Sequence, residues 1–196
     1  MGGVGPIVGS SWYGIPYIKS RYKDRTTDIS EDEKNNRNKF AMAHFWLQPL
    51  LDFVREGFKN YSLKSRGFNA AKSYLLRNAV EGKQPNISIN PALVKVSVGK
   101  LPLPADIAVG KTGEGEITFT WNPQSIKDVS DFDQVMVLAY EVETGDASFR
   151  ITGQFRNVGV EKLEKLTGKA YHCYLAFTAA DRSMQSDSVY LGKITM

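Results

Sequence analysis

The chain has little of what site chemistry usually requires. Its 196 residues include one cysteine, Cys173, and two histidines, His44 and His172. A single thiol excludes an internal disulfide. Three nitrogen or sulfur ligands, in no zinc-like spacing, leave no metal centre to expect. No apolar run approaches the ~18–20 residues that a membrane-spanning helix needs, so membrane insertion is not expected. A signal peptide is not expected either: Met1 to Ile18 has no basic start, and Gly2, Gly3, Gly5, Pro6, Gly9 and Gly14 break it up. The expected location is the cytoplasm, or a particle assembled without a signal. No serine sits in a G-x-S-x-G elbow. These gaps point away from an enzyme, and neither a catalytic residue nor a cofactor is expected.

What is present is ordinary globular material. The chain is 42% apolar and 23% charged, which excludes a disordered tail. The length allows one or two domains with a real core. Charge is uneven. Residues 1–83 carry 14 Lys and Arg against 8 Asp and Glu, and residues 84–196 carry 11 against 13. Such asymmetry suggests two regions of different character, the first suited to an acidic partner or to nucleic acid.

Residues 1–26 read as a Gly-rich arm, extended or an irregular hairpin. Trp12, Tyr13, Tyr17, Ile18 and Tyr22 supply strand-type side chains. Ser30-Glu31-Asp32-Glu33 is a capping box that opens a helix. Its apolar stripe runs through Phe40, Ala43, Leu47, Leu50, Leu51, Val54 and Phe58. Pro49 lies inside that run and should kink or split it. A second helix is predicted over 67–81, stopped by Gly82 and Pro85. From residue 86 the period becomes two. Strands are predicted over 87–98, 115–121, 133–142, 148–156, 160–166, 171–179 and 188–195, with turns between them, one at Gly110 to Gly115. Seven short strands at this spacing argue for an antiparallel β-sandwich.

Ala105 to Thr112 fits the loose pattern of a phosphate-binding P-loop. That chemistry needs a helix N-terminus behind the loop, whereas Gly113-Glu114-Gly115-Glu116 and a strand follow here. A surface turn is the expected reading. Carboxylates cluster at Glu31, Asp32 and Glu33, explained by capping, and at Asp128, Asp131 and Asp133. The second group is either a solvated turn or a Ca²⁺ loop. His44 falls near the helical stripe. Cys173 alternates with Tyr171, Leu175 and Phe177 and is expected to be buried and inert, with His172 on the opposite face. The sharpest polar feature is the arm. Lys19, Arg21, Lys23 and Arg25 alternate, so an extended chain points them to one side. Trp12, Tyr17 and Tyr22 lie among them. Such a surface suits protein, glycan or, by stacking and phosphate contact, nucleic acid.

Two resemblances add to this. Ile117-Thr118-Phe119-Thr120-Trp121, Met136 to Tyr140, and Leu166-Thr167-Gly168-Lys169-Ala170-Tyr171 with Cys173, Leu175 and Phe177 resemble a fibronectin type III or immunoglobulin-like sandwich. The resemblance implies Trp121, Tyr140, Leu166 and Tyr171 as structural core, and Tyr171 as a tyrosine corner whose phenol bonds backbone. Gly168 replaces the usual proline, and the Leu–Tyr spacing is one residue short. The stretch Gly5 to Ser20 (GPIVGSSWYGIPYIKS), with Arg37, Lys39-Phe40 and Phe68-Asn69-Ala70-Ala71, resembles an uncharacterised family of Bacteroidota proteins. That family usually carries an Asn-Pro turn and a Gln before the Arg, which Thr26-Thr27-Asp28-Ile29 lacks here. This resemblance favours binding or assembly over catalysis.

The expected fold is α+β: a short arm and helices over residues 1–83, packed on a seven-strand sandwich over 84–196. The strand at 133–142 is apolar on both sides. Met136, Leu138 and Tyr140 are assigned to the sandwich core. Val135, Val137 and Ala139, beside Tyr174 and Ala176, are assigned to an outer face. The chain's own helices should cover that face, or a second copy would, making a homodimer. The expected function is non-enzymatic binding or structural assembly with a protein or glycan partner; the alternative is nucleic-acid binding through the arm.

Overall fold

A computed structural model describes residues 3–4, 6–12, 14–22, 28–62, 65, 67–82, 85–125, 127 and 129–196. The chain divides into two compact units, Met1–Lys34 and Asn35–Met196. The first holds an antiparallel sheet of β1 (Gly3–Val4), β2 (Ile7–Trp12) and β3 (Ile15–Ser20) in that order. Gly14, at φ +80°, closes the β2–β3 turn in a conformation that favours a residue without Cβ. Ser30 caps the helix that follows, its Oγ accepting from the Glu33 amide at 3.3 Å.

That helix, α1 (Glu31–Leu47), runs into a 3-10 turn at Gln48–Leu50 and continues as α2 (Leu51–Gly57). The interruption is where Pro49 withholds a donor. Ala43, Leu47, Leu50, Val54 and Phe58 are buried as the stripe requires, and Trp46 and Phe53 join them. Phe40 departs from that expectation. It stays half-exposed at the rim, with the Lys72 ammonium 4.1 Å from its ring centre. The next helix, α3 (Gly67–Asn78), ends three residues before the predicted stop. The chain then forms a small ladder, β4 (Val80–Glu81) with β5 (Ser88–Ile89).

Two larger sheets follow. One is ordered β10-β7-β6: β6 (Ala108–Gly113), β7 (Glu116–Thr120) and β10 (Val160–Leu163). The other is ordered β12-β11-β8-β9: β8 (Gln134–Glu141), β9 (Asp146–Arg150), β11 (Ala170–Thr178) and β12 (Val189–Thr195). The predicted strand over 87–98 is corrected. Only Ser88–Ile89 is strand, because Pro91 starts a 3-10 turn at Pro91–Leu93, capped by the Asn90 side chain. The predicted turn at Gly110 to Gly115 is corrected too. Residues 108–113 pair with β7, and Gly115 at φ +67° makes the reversal.

The central pair, β8 and β11, is buried on both faces. Val135, Val137 and Ala139, with Tyr171, Cys173, Leu175 and Phe177, share a hydrophobic cluster with Ile117, Phe119, Trp121, Leu163 and Leu166. Met136, Leu138 and Tyr140, with Tyr174 and Ala176, share another with α1, α2 and α3. Helices therefore cover the second face, but the face assignment of β8 is reversed from the expectation. Antiparallel partners point to the same side, and the register pairs Leu138 with Tyr174 and Met136 with Ala176. Trp46 stacks edge-on to Tyr140 at 5.0 Å, and the Tyr140 hydroxyl donates to the Trp46 carbonyl at 3.0 Å. Gly57 lets α2 approach the loop below it. A Cβ there would lie 2.2 Å from the Val96 carbonyl oxygen, and the Gly57 carbonyl accepts from the Val98 amide.

Trp121 anchors the other cluster. Its ring meets Phe177 edge-on at 5.4 Å, and its indole donates to the Arg156 carbonyl at 2.7 Å. Replacing a buried indole leaves a cavity and an orphaned acceptor. Trp121→Ala should therefore lose about 3–5 kcal/mol of stability. Urea melts check this, and an unchanged midpoint would refute the packing.

Candidate interaction surfaces

Among the candidate residues, the arm's aromatic and basic side chains converge. The β2–β3 register pairs Trp12 with Ile15, Ser10 with Tyr17 and Val8 with Lys19. Directly opposed residues share a face, so Trp12, Ile15, Tyr17 and Lys19 project together. Arg21 continues the same parity, its amide donating to the Pro6 carbonyl at 2.7 Å. Tyr22 falls on the other parity, beyond the strand, and is exposed. Lys23 and Arg25 lie outside the described residues. Trp12 is 61% exposed and Ile15 68%, and on the reverse face Ile18 is 72% exposed. Alternation along β3 puts Ile15 and Tyr17 on the side of the cations; only the hairpin register adds Trp12 to them.

The free edge of this sheet is less suited to a partner strand. Edge strands are commonly protected by proline and lysine, and β3 carries both, at Pro16 and Lys19.

A second surface lies in the loops of the larger unit. Phe132 and Phe155 meet edge-on at 5.8 Å yet remain 61% and 43% exposed, with Val158 nearby in sequence and 45% exposed. Their loops are tied together beneath. The Arg156 amide donates to the Asp133 carbonyl at 2.7 Å, and the Asn157 amide to the Asp131 carbonyl at 3.3 Å. The Arg156 side chain is buried. Its guanidinium sits 3.5 Å from the Asp133 carboxylate, donates to the Pro102 carbonyl at 2.9 Å, and lies 4.4 Å from the Phe177 ring centre. Burial pulls the guanidinium pKa down, and Asp133 opposes that shift. Asp133 also accepts from the Ala180 amide. No sequence periodicity marks Arg156 as a core residue, so reasoning from the sequence alone missed it.

The acidic loop is thereby resolved into parts. Asp133 is an internal counter-ion. Asp131 accepts from the Ser125 hydroxyl at 2.9 Å. Asp128 lies outside the described residues. Among the described residues no three His, Cys, Asp or Glu side chains gather as a metal group.

The remaining candidates lie within strands and helices. Lys111 lies in β6, and the chain turns from there into β7 where a P-loop would have a helix N-terminus. Cys173 is fully buried, and burial pushes its thiol pKa up to about 12. His172 faces away from it, its Nδ1 2.8 Å from the Tyr190 hydroxyl, and burial lowers its pKa. His44 lies edge-on to Phe68. Tyr171 accepts from the Gly168 amide at 2.7 Å and donates to Asp146 at 2.6 Å. Burial, with that carboxylate, raises its pKa to about 12. No helix is long and apolar enough to cross a membrane among the described residues.

The model of a family of unknown function, DUF6266, matches residues 1–192, and the chain belongs to that family. No curated protein matches the chain.

Two outcomes follow from these sites. Calorimetry with Mg-ATP should give no heat beyond dilution; a micromolar Kd abolished by Lys111→Ala would overturn the strand reading of that stretch. Arg156→Met should lose about 3–5 kcal/mol, because it strands a buried carboxylate. Adding Asp133→Asn to that variant should recover part of the loss in the same urea melts.

Proposed function

We propose that this member of the DUF6266 family is a non-enzymatic binding or structural-assembly protein that makes contact through the Trp12–Ile15–Tyr17–Lys19 face. The exposure of that face is the observation that carries the reading. A three-stranded sheet needs a hydrophobic face packed on something to be stable by itself. Here apolar side chains stand in solvent on both faces. A partner would remove them from water, with Trp12 and Tyr17 as rigid anchors and Lys19 and Arg21 at the rim. Aliphatic Ile15 beside the rings favours a protein partner over a glycan, which would use the aromatic rings alone.

Residues 84–196 are read as a fibronectin type III or immunoglobulin-like sandwich. Support comes from the strand orders β10-β7-β6 and β12-β11-β8-β9, from Trp121 in the shared cluster, and from the Gly168 amide bonded to the Tyr171 phenol. In this reading the sandwich serves as a scaffold, in a setting without membrane insertion.

Hydroxyl-radical footprinting tests the contact. In a lysate of cells that naturally make the protein, Trp12 and Tyr17 should be protected relative to dilute purified protein. Equal oxidation in both would remove the arm as a contact surface.

Nucleic-acid binding is the second reading, favoured by the shared face of Trp12, Tyr17, Lys19 and Arg21. It requires that a labelled oligothymidylate bind with strong salt dependence. Replacing Lys19, Arg21, Lys23 and Arg25 should then flatten the log–log salt slope by about 0.7 per lost phosphate contact. Equal binding by the wild type and this quadruple variant would eliminate the arm as a nucleic-acid site.

A further inference from the structure

We infer that the larger unit carries a binding site of its own: a cavity between the end of α2 and the β11–β12 connection that takes a small carboxylate with an apolar body. The site lies wholly within Asn35–Met196 and does not rest on the contact role of the arm.

The cavity has a volume of about 300 Å³, at the small end of the range for ligand pockets. Three stretches of chain meet around it. Asn60 and Tyr61 follow α2, Val98 and Lys100 lie on the loop before β6, and Met184 and Gln185 lie between β11 and β12. Hydrogen bonds tie the three together. The Gln185 carbonyl accepts from the Leu101 amide at 3.0 Å, and the Asn60 side chain donates to the Ser183 carbonyl at 2.7 Å. Lys100 also forms a backbone bridge with Ser186. Gly99 permits the close approach, since a Cβ there would overlap the Gln185 carbonyl oxygen. Walls fixed in this way need little ordering when a ligand enters.

The polar groups specify the ligand. Gln185 is 1% exposed, and its side-chain nitrogen meets no hydrogen-bond acceptor among the described residues. The oxygen of the same amide is already engaged, accepting from the Asn60 side chain at 3.5 Å. A buried N–H group without an acceptor is costly, and native structures rarely leave one without a reason. A ligand oxygen in the cavity that Gln185 lines would supply the acceptor. Lys100 is exposed and is the charged side chain among the described lining residues; no carboxylate lines the cavity with it. An amide donor and an ammonium together suit an anion that accepts at two oxygens, as a carboxylate does.

The walls specify the rest of the molecule. Tyr61, Val98 and Met184 present ring, methyl and thioether surface. Tyr61 is braced edge-on against buried Phe58 at 5.3 Å. An apolar body would leave water there, and a thioether beside the opening suits a ring.

The test titrates isotope-labelled full-length protein with phenylacetate and with phenylacetamide, its neutral counterpart, by nuclear magnetic resonance. Phenylacetate should bind with a Kd of about 5 mM or tighter. It should move the backbone amide signals of Tyr61, Lys100 and Gln185 and the side-chain amide pair of Gln185. Phenylacetamide should bind at least about threefold more weakly, because it offers Lys100 no charge. Lys100→Met should weaken phenylacetate by about the same factor and leave phenylacetamide unchanged. Gln185→Met keeps an apolar side chain of similar length and removes the donor, so it should weaken both compounds at least about threefold. Circular dichroism checks that this variant folds. Lys100 is exposed, so its variant decides the matter even if the Gln185 variant does not fold.

Any of four results would overturn the inference. Phenylacetate binds more weakly than about 5 mM. The shifted signals centre away from Gln185. Phenylacetamide binds as tightly as phenylacetate, or Lys100→Met leaves phenylacetate binding unchanged, either of which removes the anion. Folded Gln185→Met binds phenylacetate as the wild type does, which leaves its amide no part in the site.

Discussion

The β8–β11 ladder is the constraint on which the larger unit depends. Seven residue pairs run in unbroken antiparallel register from His172–Tyr140 to Thr178–Gln134. Strand geometry sends alternate side chains to opposite faces, and both faces of this ladder are packed, with only Gln134 and His172 part-exposed. Odd-numbered residues of both strands go to the cluster with Trp121, and even-numbered ones go to the helices. A one-residue slip would exchange every side chain between two differently shaped cores, sending Tyr174 where Cys173 packs. The register is thus fixed from both sides at once. The helices are part of the same core, which is why Asn35–Met196 is one compact unit.

The sequence made this legible up to a point. The run Val135 to Tyr140 lacks polar alternation, and that alone indicates a strand buried twice and a cover over its second face. Which residues point which way depends on cross-strand pairing, and composition cannot supply that. The Pro49 interruption and the Ser30 cap were readable because each depends on one residue's local chemistry. The strand at Ala108–Gly113 was hidden, because Gly110 and Gly113 read as turn formers and its stability comes from pairing with β7. The stretch after Asn90 misled in the other direction. Val94, Val96 and Val98 alternate like a strand, but Val94 and Val96 pack with α2, and the amides of the three donate to the Pro91 carbonyl, the Ser188 hydroxyl and the Gly57 carbonyl without joining a ladder.

The candidate surfaces divide along the same line. Lys19 and Arg21 were readable by parity, since strand alternation is local. Ile15 and Tyr17 follow by the same alternation, whereas adding Trp12 required knowing where the chain turns, at Gly14. Phe132 and Phe155 lie 23 residues apart in the sequence, in loops of no distinctive pattern. What joins them is Arg156, a cation held under an apolar surface by one carboxylate, one carbonyl and one aromatic ring. A buried charge is invisible to hydropathy, which assigns it to solvent.

Cys173 has a practical consequence. It is the chain's sole thiol, fully buried mid-strand in the most deeply packed ladder, and its elevated pKa leaves almost none of it as thiolate at neutral pH. Its side chain packs in the cluster with Trp121, so a thiol reagent reaches it only when that cluster opens. The rate at which the native protein takes up such a reagent reads the frequency of that opening. The molecule carries its own clock for the opening of that core, with no introduced label and no background from other cysteines.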